Sequence, residues 1–127
     1  DGTTPRLALE AAGTNLVWTV SAPLVLSNNL AVTGDGTATF NINSPVTGPG
    51  SLSKSGASTL ALAASNSFTG GTAILSGALV AASDSAFGAG SVALVGGAVR
   101  GTGATNVTLP NAFVLSNNLS TGGLLTI

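Results

Sequence analysis

Residues 50–79 read GSLSKSGASTLALAASNSFTGGTAILSGAL. Apolar and polar residues alternate in short runs such as 59–62, and glycine or asparagine bounds these runs. Alternation with a period of two is typical of a β-strand that buries one face, and Gly and Asn favour turns. The stretch therefore predicts short strands joined by tight corners.

The same pattern extends over the rest of the chain. Runs of three to six residues alternate in this way at 16–20, 30–33, 37–42, 91–95 and 107–109. Runs this short are too brief for the apolar stripe of an amphipathic helix. The sequence predicts a protein that is nearly all β.

Equivalent apolar residues return about every 20 residues, in three series with steps of 19 to 22. Such a period is longer than a hairpin repeat and is typical of a solenoid. The first series is Trp18, Phe40, Leu60, Leu79, Val99 and Leu119; the second is Val32, Leu52, Ile74, Leu94 and Leu115; the third is Val46, Phe68, Phe87, Val107 and Ile127.

The three series predict a coil with three faces in which equivalent residues stack inside the chain. We expect a parallel β-helix, also called a β-solenoid, over residues 14–127, with about 20 residues per coil and about six coils. Small residues suit a narrow interior, and glycine suits corners where φ is positive. A β-sandwich is the alternative fold for short alternating strands.

Residues 1–13 differ from the repeats and are expected to form an N-terminal cap or an edge segment. Thr4 before Pro5, an apolar run and then Gly13 follow the start and stop pattern of a short helix. The alternative is an edge strand with Leu7 and Leu9 directed inward. The pattern leaves both open.

The composition limits the classes of partner. Gly, Ala, Ser, Thr and Asn supply 79 of 127 residues, and only seven residues are charged: Asp1, Arg6, Glu10, Asp35, Lys54, Asp84 and Arg100. Few charges give little repulsion between copies, so association is expected. A net charge of -1 without His offers no surface for nucleic acid.

Two further features of the chain bear on its location. No apolar run approaches the roughly 20 residues of a transmembrane helix, so we expect no membrane insertion by this segment. The chain has no Cys, no signal peptide and no initiator Met. This pattern indicates a mature or excised piece of a bacterial surface protein.

The stretch from Gly50 to Leu79 resembles the passenger-associated repeat of bacterial autotransporters, also called the autotransporter-associated β-strand repeat. The matching residues are Gly50-x-Leu52-x-Lys54-x-Gly56, Thr59-Leu60-x-Leu62, Asn66-x-Phe68-x-Gly70-x-Thr72-x-Ile74 and Gly77-x-Leu79. Ser58 stands where the family tends to have Gly, and Phe68 where it tends to have Tyr. The resemblance implies a right-handed β-helix in a secreted or cell-surface passenger of a Gram-negative bacterium.

No group of residues suggests chemistry. Metal binding needs clustered His, Cys, Asp or Glu, and acid-base catalysis needs paired groups, but His and Cys are absent and the carboxylates are scattered. Asp35 lies in Gly34-Asp35-Gly36, which predicts a turn, and Arg100 is expected to point outward. We expect no catalytic, cofactor-binding or metal site, no cofactor and no enzyme activity, with the charged side chains outside.

The expected function is structural. A β-helix ends in strand edges that can pair with another chain, so we expect end-to-end association into a homo-oligomer or filament, as a stalk or fibre. The alternative is an adhesin or autotransporter passenger segment that binds a host or surface glycan or protein.

Overall fold

The structure is a computed structural model that describes residues 7–102, 106–116, 121–122 and 125–126, with side chains for 14–102 and 106–116. All regular elements in these ranges are β-strands, and no helix is present among them. The strands are β1 Leu7–Gly13, β2 Val17–Val20, β3 Leu24–Val25, β4 Leu30–Gly36, β5 Thr39–Ile42, β6 Val46–Thr47, β7 Leu52–Ser55, β8 Thr59–Leu62, β9 Thr72–Ile74, β10 Ala78–Ala81, β11 Val92–Leu94, β12 Ala98–Gly101, β13 Val107–Thr108, β14 Phe113–Leu115, β15 Thr121–Gly122 and β16 Leu125–Thr126.

The strands stack as a β-solenoid of about five turns. Sheet 1 has the order β1-β4-β7-β9-β11-β14, and sheet 2 has the order β15-β12-β10-β8-β5-β2. Every pairing in the described part of the chain is parallel, and paired residues such as Leu60 and Leu79 lie about 20 positions apart. The β-sandwich alternative is wrong, because hairpin-connected strands would pair antiparallel. The right-handed sense of the coil stays a prediction.

The third face has regular strands only near its two ends, in the pairs β3-β6 and β13-β16. Between them residues 63–71 and 82–91 run without a strand, yet the coils remain hydrogen-bonded to one another. The Ser67 N–H donates to the Val46 carbonyl at 2.9 Å, and the Ala89 N–H donates to the Phe68 carbonyl at 3.0 Å. The three-faced coil is therefore continuous through its middle.

The first predicted ladder is correct from Trp18 to Val99. Trp18 aligns with Phe40, then Leu60, Leu79 and Val99 follow in register. Val99 next aligns with Thr121 and not with Leu119, because the last coil is 22 residues long at this point. Leu119 itself lies outside the described residues.

The second predicted ladder is wrong by two residues over its first two steps, from Val32 to Leu52 and from Leu52 to Ile74. Val32 aligns with Lys54, and Leu52 aligns with Leu30 below and Thr72 above. A shift of two residues keeps the same side chains inside, since strand side chains alternate with a period of two. The upper half, Ile74-Leu94-Leu115, has the predicted register.

The third ladder is buried where the structure describes its side chains. Val46, Phe68, Phe87 and Val107 are each at most 2% exposed. Val107 pairs with Leu125, two residues before the predicted partner Ile127, which lies outside the described residues. The third face thus contributes a buried apolar row, while sheets 1 and 2 each direct two rows of mostly apolar side chains into the interior.

Residues 7–13 form strand β1 at the edge of sheet 1, so the helix alternative is wrong for these residues and they form an edge strand; the side chains of Leu7 and Leu9 lie outside the described part of the structure. All seven residues align with β4, from Leu7 with Leu30 to Gly13 with Gly36. A helix of about two turns is marginal in water, and pairing along a neighbouring strand supplies more hydrogen bonds. Thr4 and Pro5 lie outside the described residues.

The corner between sheet 1 and sheet 2 depends on glycine. Gly56 and Gly77 have φ of 77° and 80°. A Cβ on Gly77 would lie 2.3 Å from the Gly56 carbonyl oxygen in the coil below. Any larger residue would therefore separate the stacked coils as well as strain the backbone.

Candidate functional site

The charged residues with described side chains do not form a reactive group. Asp35, Asp84 and Arg100 are exposed, and no cluster of three His, Cys, Asp or Glu occurs among the described residues. The prediction of a turn at Asp35 is wrong, because Asp35 lies within β4 and the strand ends one residue later, at Gly36. Asp84 has a structural role, because its Oδ1 accepts a hydrogen bond of 2.8 Å from the Thr108 N–H.

Lys54 is the charged residue that sequence reasoning placed wrongly. It was expected outside, but the whole residue is 0% exposed, on the inner row between Val32 and Ile74. Its Nζ donates to the Ser55 carbonyl at 2.7 Å and to the Gly56 carbonyl at 3.0 Å. Burial lowers the pKa of Lys54 from 10.5 to about 8. Contact with two carbonyl dipoles keeps the buried ammonium hydrogen-bonded.

Asn66 links three successive coils on the third face. Its Oδ1 accepts from the Val46 N–H at 2.8 Å in the coil below, and its Nδ2 donates to the Ala86 carbonyl at 2.6 Å in the coil above. Asn66 is only 6% exposed. Its amide takes over hydrogen bonds that a strand would otherwise supply where the third face has none.

Other short polar side chains make comparable links between coils. Ser83 Oγ donates to the Ala64 carbonyl at 2.9 Å, and Asn111 Nδ2 donates to the Gly90 carbonyl at 2.8 Å. Ser44 Oγ donates to the Ser21 carbonyl in the same manner. The abundant Ser and Asn residues thus hold the stack together on its irregular face.

The outward row of sheet 1 carries no charge in its central coils. The row runs through Ala31, Ser53, Ala73 and Ala93. An open groove of about 340 Å³ lies beside this row. Its walls include Asn29, Ser51, Ser53, Ala73, Ser91 and Ala93, which offer hydroxyl and amide groups next to methyl groups.

Large apolar side chains are exposed near the first and last described coils. Trp18 lies on the inner row of sheet 2 but is 54% exposed, because β2 is the outermost described strand of that sheet. Leu16 and Val17 beside it, and Val114 and Leu115 on β14, are exposed as well. Among the described strands, β2 and β14 are therefore outermost in their sheets and lie beside exposed apolar side chains.

Comparison with known proteins identifies part of the coil. Residues 52–81 match the family model of the passenger-associated-transport-repeat. These residues are an autotransporter passenger repeat. The resemblance seen in the sequence is therefore confirmed over the coil that contains Lys54 and Asn66 and over the first two strands, β9 and β10, of the next coil.

A longer match extends beyond the passenger repeat. The chain is 36% identical over 94 residues to the "Adhesin BmaC autotransporter" of Brucella suis biovar 1 (strain 1330). This alignment covers 70% of the chain but 3% of that protein. No solved structure matches the chain. No helix long and apolar enough to span a membrane is present in the described ranges.

Lys54 and Asn66 belong to the motif of the passenger repeat, but the motif alone assigns neither a role. For Asn66 a signal was present, since it lies two positions before Phe68 and therefore shares the inward row. For Lys54 the same alternation applies, two positions after the buried Leu52. Arg100 is exposed on β12, as expected.

Proposed function

We propose that this chain is a structural segment of a secreted or cell-surface autotransporter passenger, serving as part of a stalk or fibre. The observation that carries the proposal is the stacking of similar coils around a passenger repeat, with buried polar links between coils. Rigid extension is what such a stack can provide. Its location at the bacterial surface is supported by the passenger repeat and by the similarity to an autotransporter adhesin.

We also propose that the segment has no enzyme activity. Of the exposed charged groups with described side chains, Asp35 lies on β4, Arg100 on β12 and Asp84 in the strand-free segment 82–91. The buried Lys54 is bonded to backbone carbonyls. Neither arrangement offers a paired acid and base next to a substrate groove. Turnover of a polysaccharide by the purified chain would contradict this.

End-to-end association is the finer part of the proposal. The edge of β2 and the exposed Trp18 present a surface onto which another coil can stack, because Trp18 continues the inner row of Phe40 and Leu60. A strand edge beside apolar side chains favours pairing with a second chain. The occupant we propose is the last coil of a second copy.

The test compares sedimentation velocity and negative-stain images of the wild type with two variants. Trp18→Lys introduces a charge into the stacking surface, whereas Leu75→Lys introduces the same charge at an exposed position in the middle of the rod. We expect rods longer than one copy in the wild type and in the Leu75 variant, and single copies in the Trp18 variant. Monomeric wild type at high concentration would refute end-to-end stacking.

A second candidate function is adhesion through the groove beside sheet 1. Its neutral hydroxyl and amide groups suit a neutral glycan, and the similar autotransporter is named an adhesin. Ser53→Arg would fill the groove, while Thr59→Arg places the same side chain outward on sheet 2. Glycan-array binding that is lost only in the Ser53 variant would favour this function; absence of binding by the wild type would exclude it for a glycan ligand.

A further inference from the structure

The third face carries a sequence triplet that the structural role of the chain leaves unexplained. Asn106-Val107-Thr108 is an Asn-x-Thr sequence whose middle residue is not Pro. No other Asn-x-Ser or Asn-x-Thr triplet occurs within residues 14–102 and 106–116, and Asn118-Leu119-Ser120 lies outside the described residues. In secreted proteins such a triplet is the acceptor for a glycan on the Asn amide. Whether Asn106 can serve as an acceptor depends on where its side chain and that of Thr108 lie.

Strand β13 leaves both polar residues of the triplet at the surface. Val107 is 1% exposed and belongs to the buried row of the third face, whereas Asn106 and Thr108 on either side of it are exposed. Successive side chains along a strand point to opposite faces, so the neighbours of an inward residue share the outer side. The amide and the hydroxyl of the triplet are therefore presented together to solvent.

The described part of the fold does not use these two side chains. Among the described residues, neither the Asn106 amide nor the Thr108 hydroxyl makes a hydrogen bond. The amides of Asn66 and Asn111, by contrast, donate to carbonyls of neighbouring coils. Bonding within the described coils thus gives a reason for Asn at positions 66 and 111 but none for Asn106.

Other groups hold the backbone of the triplet in place. The Thr108 N–H donates to Asp84 Oδ1 at 2.8 Å in the coil below, and Val107 aligns with Leu125 of β16. Neither contact involves the Asn106 amide. A group attached to that amide would therefore project from the side of the rod without displacing a buried side chain.

We propose that Asn106 is an N-glycosylation site. In the reaction Asn106 Nδ2 forms a bond with the anomeric carbon of a sugar, and the bond from that carbon to a phosphate oxygen of a glycosyl diphosphate donor breaks. The diphosphate departs with the electron pair of that bond, and one Nδ2 proton passes to a base of the glycosyltransferase. The proposal rests on the proposed surface function, because acceptors of this kind belong to exported proteins.

A sugar at Asn106 would change how rods interact. Only seven of the 127 residues are charged, so the surface offers little repulsion between copies. A glycan is bulky and strongly hydrated, and it makes a protein surface more soluble. Attachment on the third face would therefore oppose side-by-side association of rods.

The experiment is mass spectrometry of the chain from the surface fraction and from the interior of the bacterium that produces it. Cleavage after Arg100 gives the peptide 101–127, which contains both triplets, and fragmentation with the sugar retained assigns it to Asn106 or Asn118. We expect a sugar on Asn106 of the surface chain. Asn106 unmodified in both fractions, with or without a sugar on Asn118, would overturn the proposal. A sugar on Asn106 of a chain found only inside the cell would uphold the site and refute the surface location.

Matched variants test recognition of the triplet. Thr108→Ser keeps the hydroxyl, whereas Thr108→Val keeps the branched shape and the backbone bond to Asp84 but removes the hydroxyl. We expect the sugar on Asn106 to persist in the Ser variant and to be lost in the Val variant, as in Asn106→Gln. Asn43→Gln, at an exposed Asn outside such a triplet, should leave the sugar unchanged. A sugar that persists on Asn106 in the Val variant would contradict recognition of the triplet.

Discussion

Raising the pH from 8 to 10.5 is expected to stabilise the protein, which is unusual for a folded chain. Lys54 has its pKa lowered by burial from 10.5 to about 8, and the aligned Val32 and Ile74 and the corner glycines and serines bring no charged group against it. Between these two pH values the unfolded chain holds a proton on Lys54 that the native chain has released. Stability rises with pH wherever the unfolded state binds more protons.

The size of the effect follows from the shift of the Lys54 pKa. The ammonium is disfavoured by burial below pH 8, and this penalty is removed by pH 10.5, where the native amine is neutral. The difference between the two pKa values corresponds to an increase of at most about 3 kcal/mol in the free energy of unfolding. The two carbonyl acceptors of Lys54 remain bonded to the neutral amine, which still has two N–H donors.

Urea denaturation followed by far-ultraviolet circular dichroism at several pH values from 7.5 to 10.5 would measure the effect. The sequence suits this assay because it has no His, Cys or Tyr, so Lys54 is the only side chain expected to titrate in this window. The control is Lys54→Met, whose unfolding free energy should stay level over the same range. A wild-type profile that is flat, or that falls as the pH rises, would refute the burial of an ionisable amine.

Three substitutions test the contacts of the passenger repeat by urea denaturation. Gly77→Ala should lower the unfolding free energy by more than about 2 kcal/mol, because φ is 80° and the new Cβ would lie 2.3 Å from the Gly56 carbonyl oxygen; an unchanged midpoint would show that the coils can separate without cost. Asn66→Ala should cost about 2 to 4 kcal/mol through its two lost links, against little change for the exposed Asn43→Ala; equal losses would argue against a specific role. Ser58→Ala should stabilise by about 1 kcal/mol, since its buried hydroxyl has no partner, and a loss would indicate one.

The period of the apolar residues was sufficient to predict the parallel stack. Phe40, Leu60, Leu79 and Val99 recur at nearly constant steps and are in register in the structure. Constant spacing implies that successive coils contain nearly the same number of residues between these positions, and this holds along sheet 2. The family resemblance added independent support for residues 52–81.

The same reasoning failed where a corner changed length. Alignment of Leu52 with Val32 assumes a step of 20 residues, whereas the true step from Val32 is 22, to Lys54. Both alignments place apolar residues inside, so hydrophobic pattern alone does not distinguish them. The helix alternative for the residues before Gly13, which the sequence pattern left open beside an edge strand, failed for a different reason: pairing with β4 outweighs local helix propensity.

Because the hydrophobic pattern does not distinguish strand alignments that differ by two residues, the buried Lys54 and Asn66 have a role that apolar residues cannot perform. A strand with an apolar inner row can shift its alignment by two residues at little cost, since one Leu or Val then packs at the position that another Leu or Val occupied. Lys54 and Asn66 do not allow this, because a shift would move their donors away from the Gly56 and Ala86 carbonyls and leave buried polar groups unpaired. Burying them sacrifices some stability relative to apolar residues of the same size but raises the energy of every slipped alignment. The passenger repeat therefore combines apolar rows that hold the coils together with two polar residues that select one register among several.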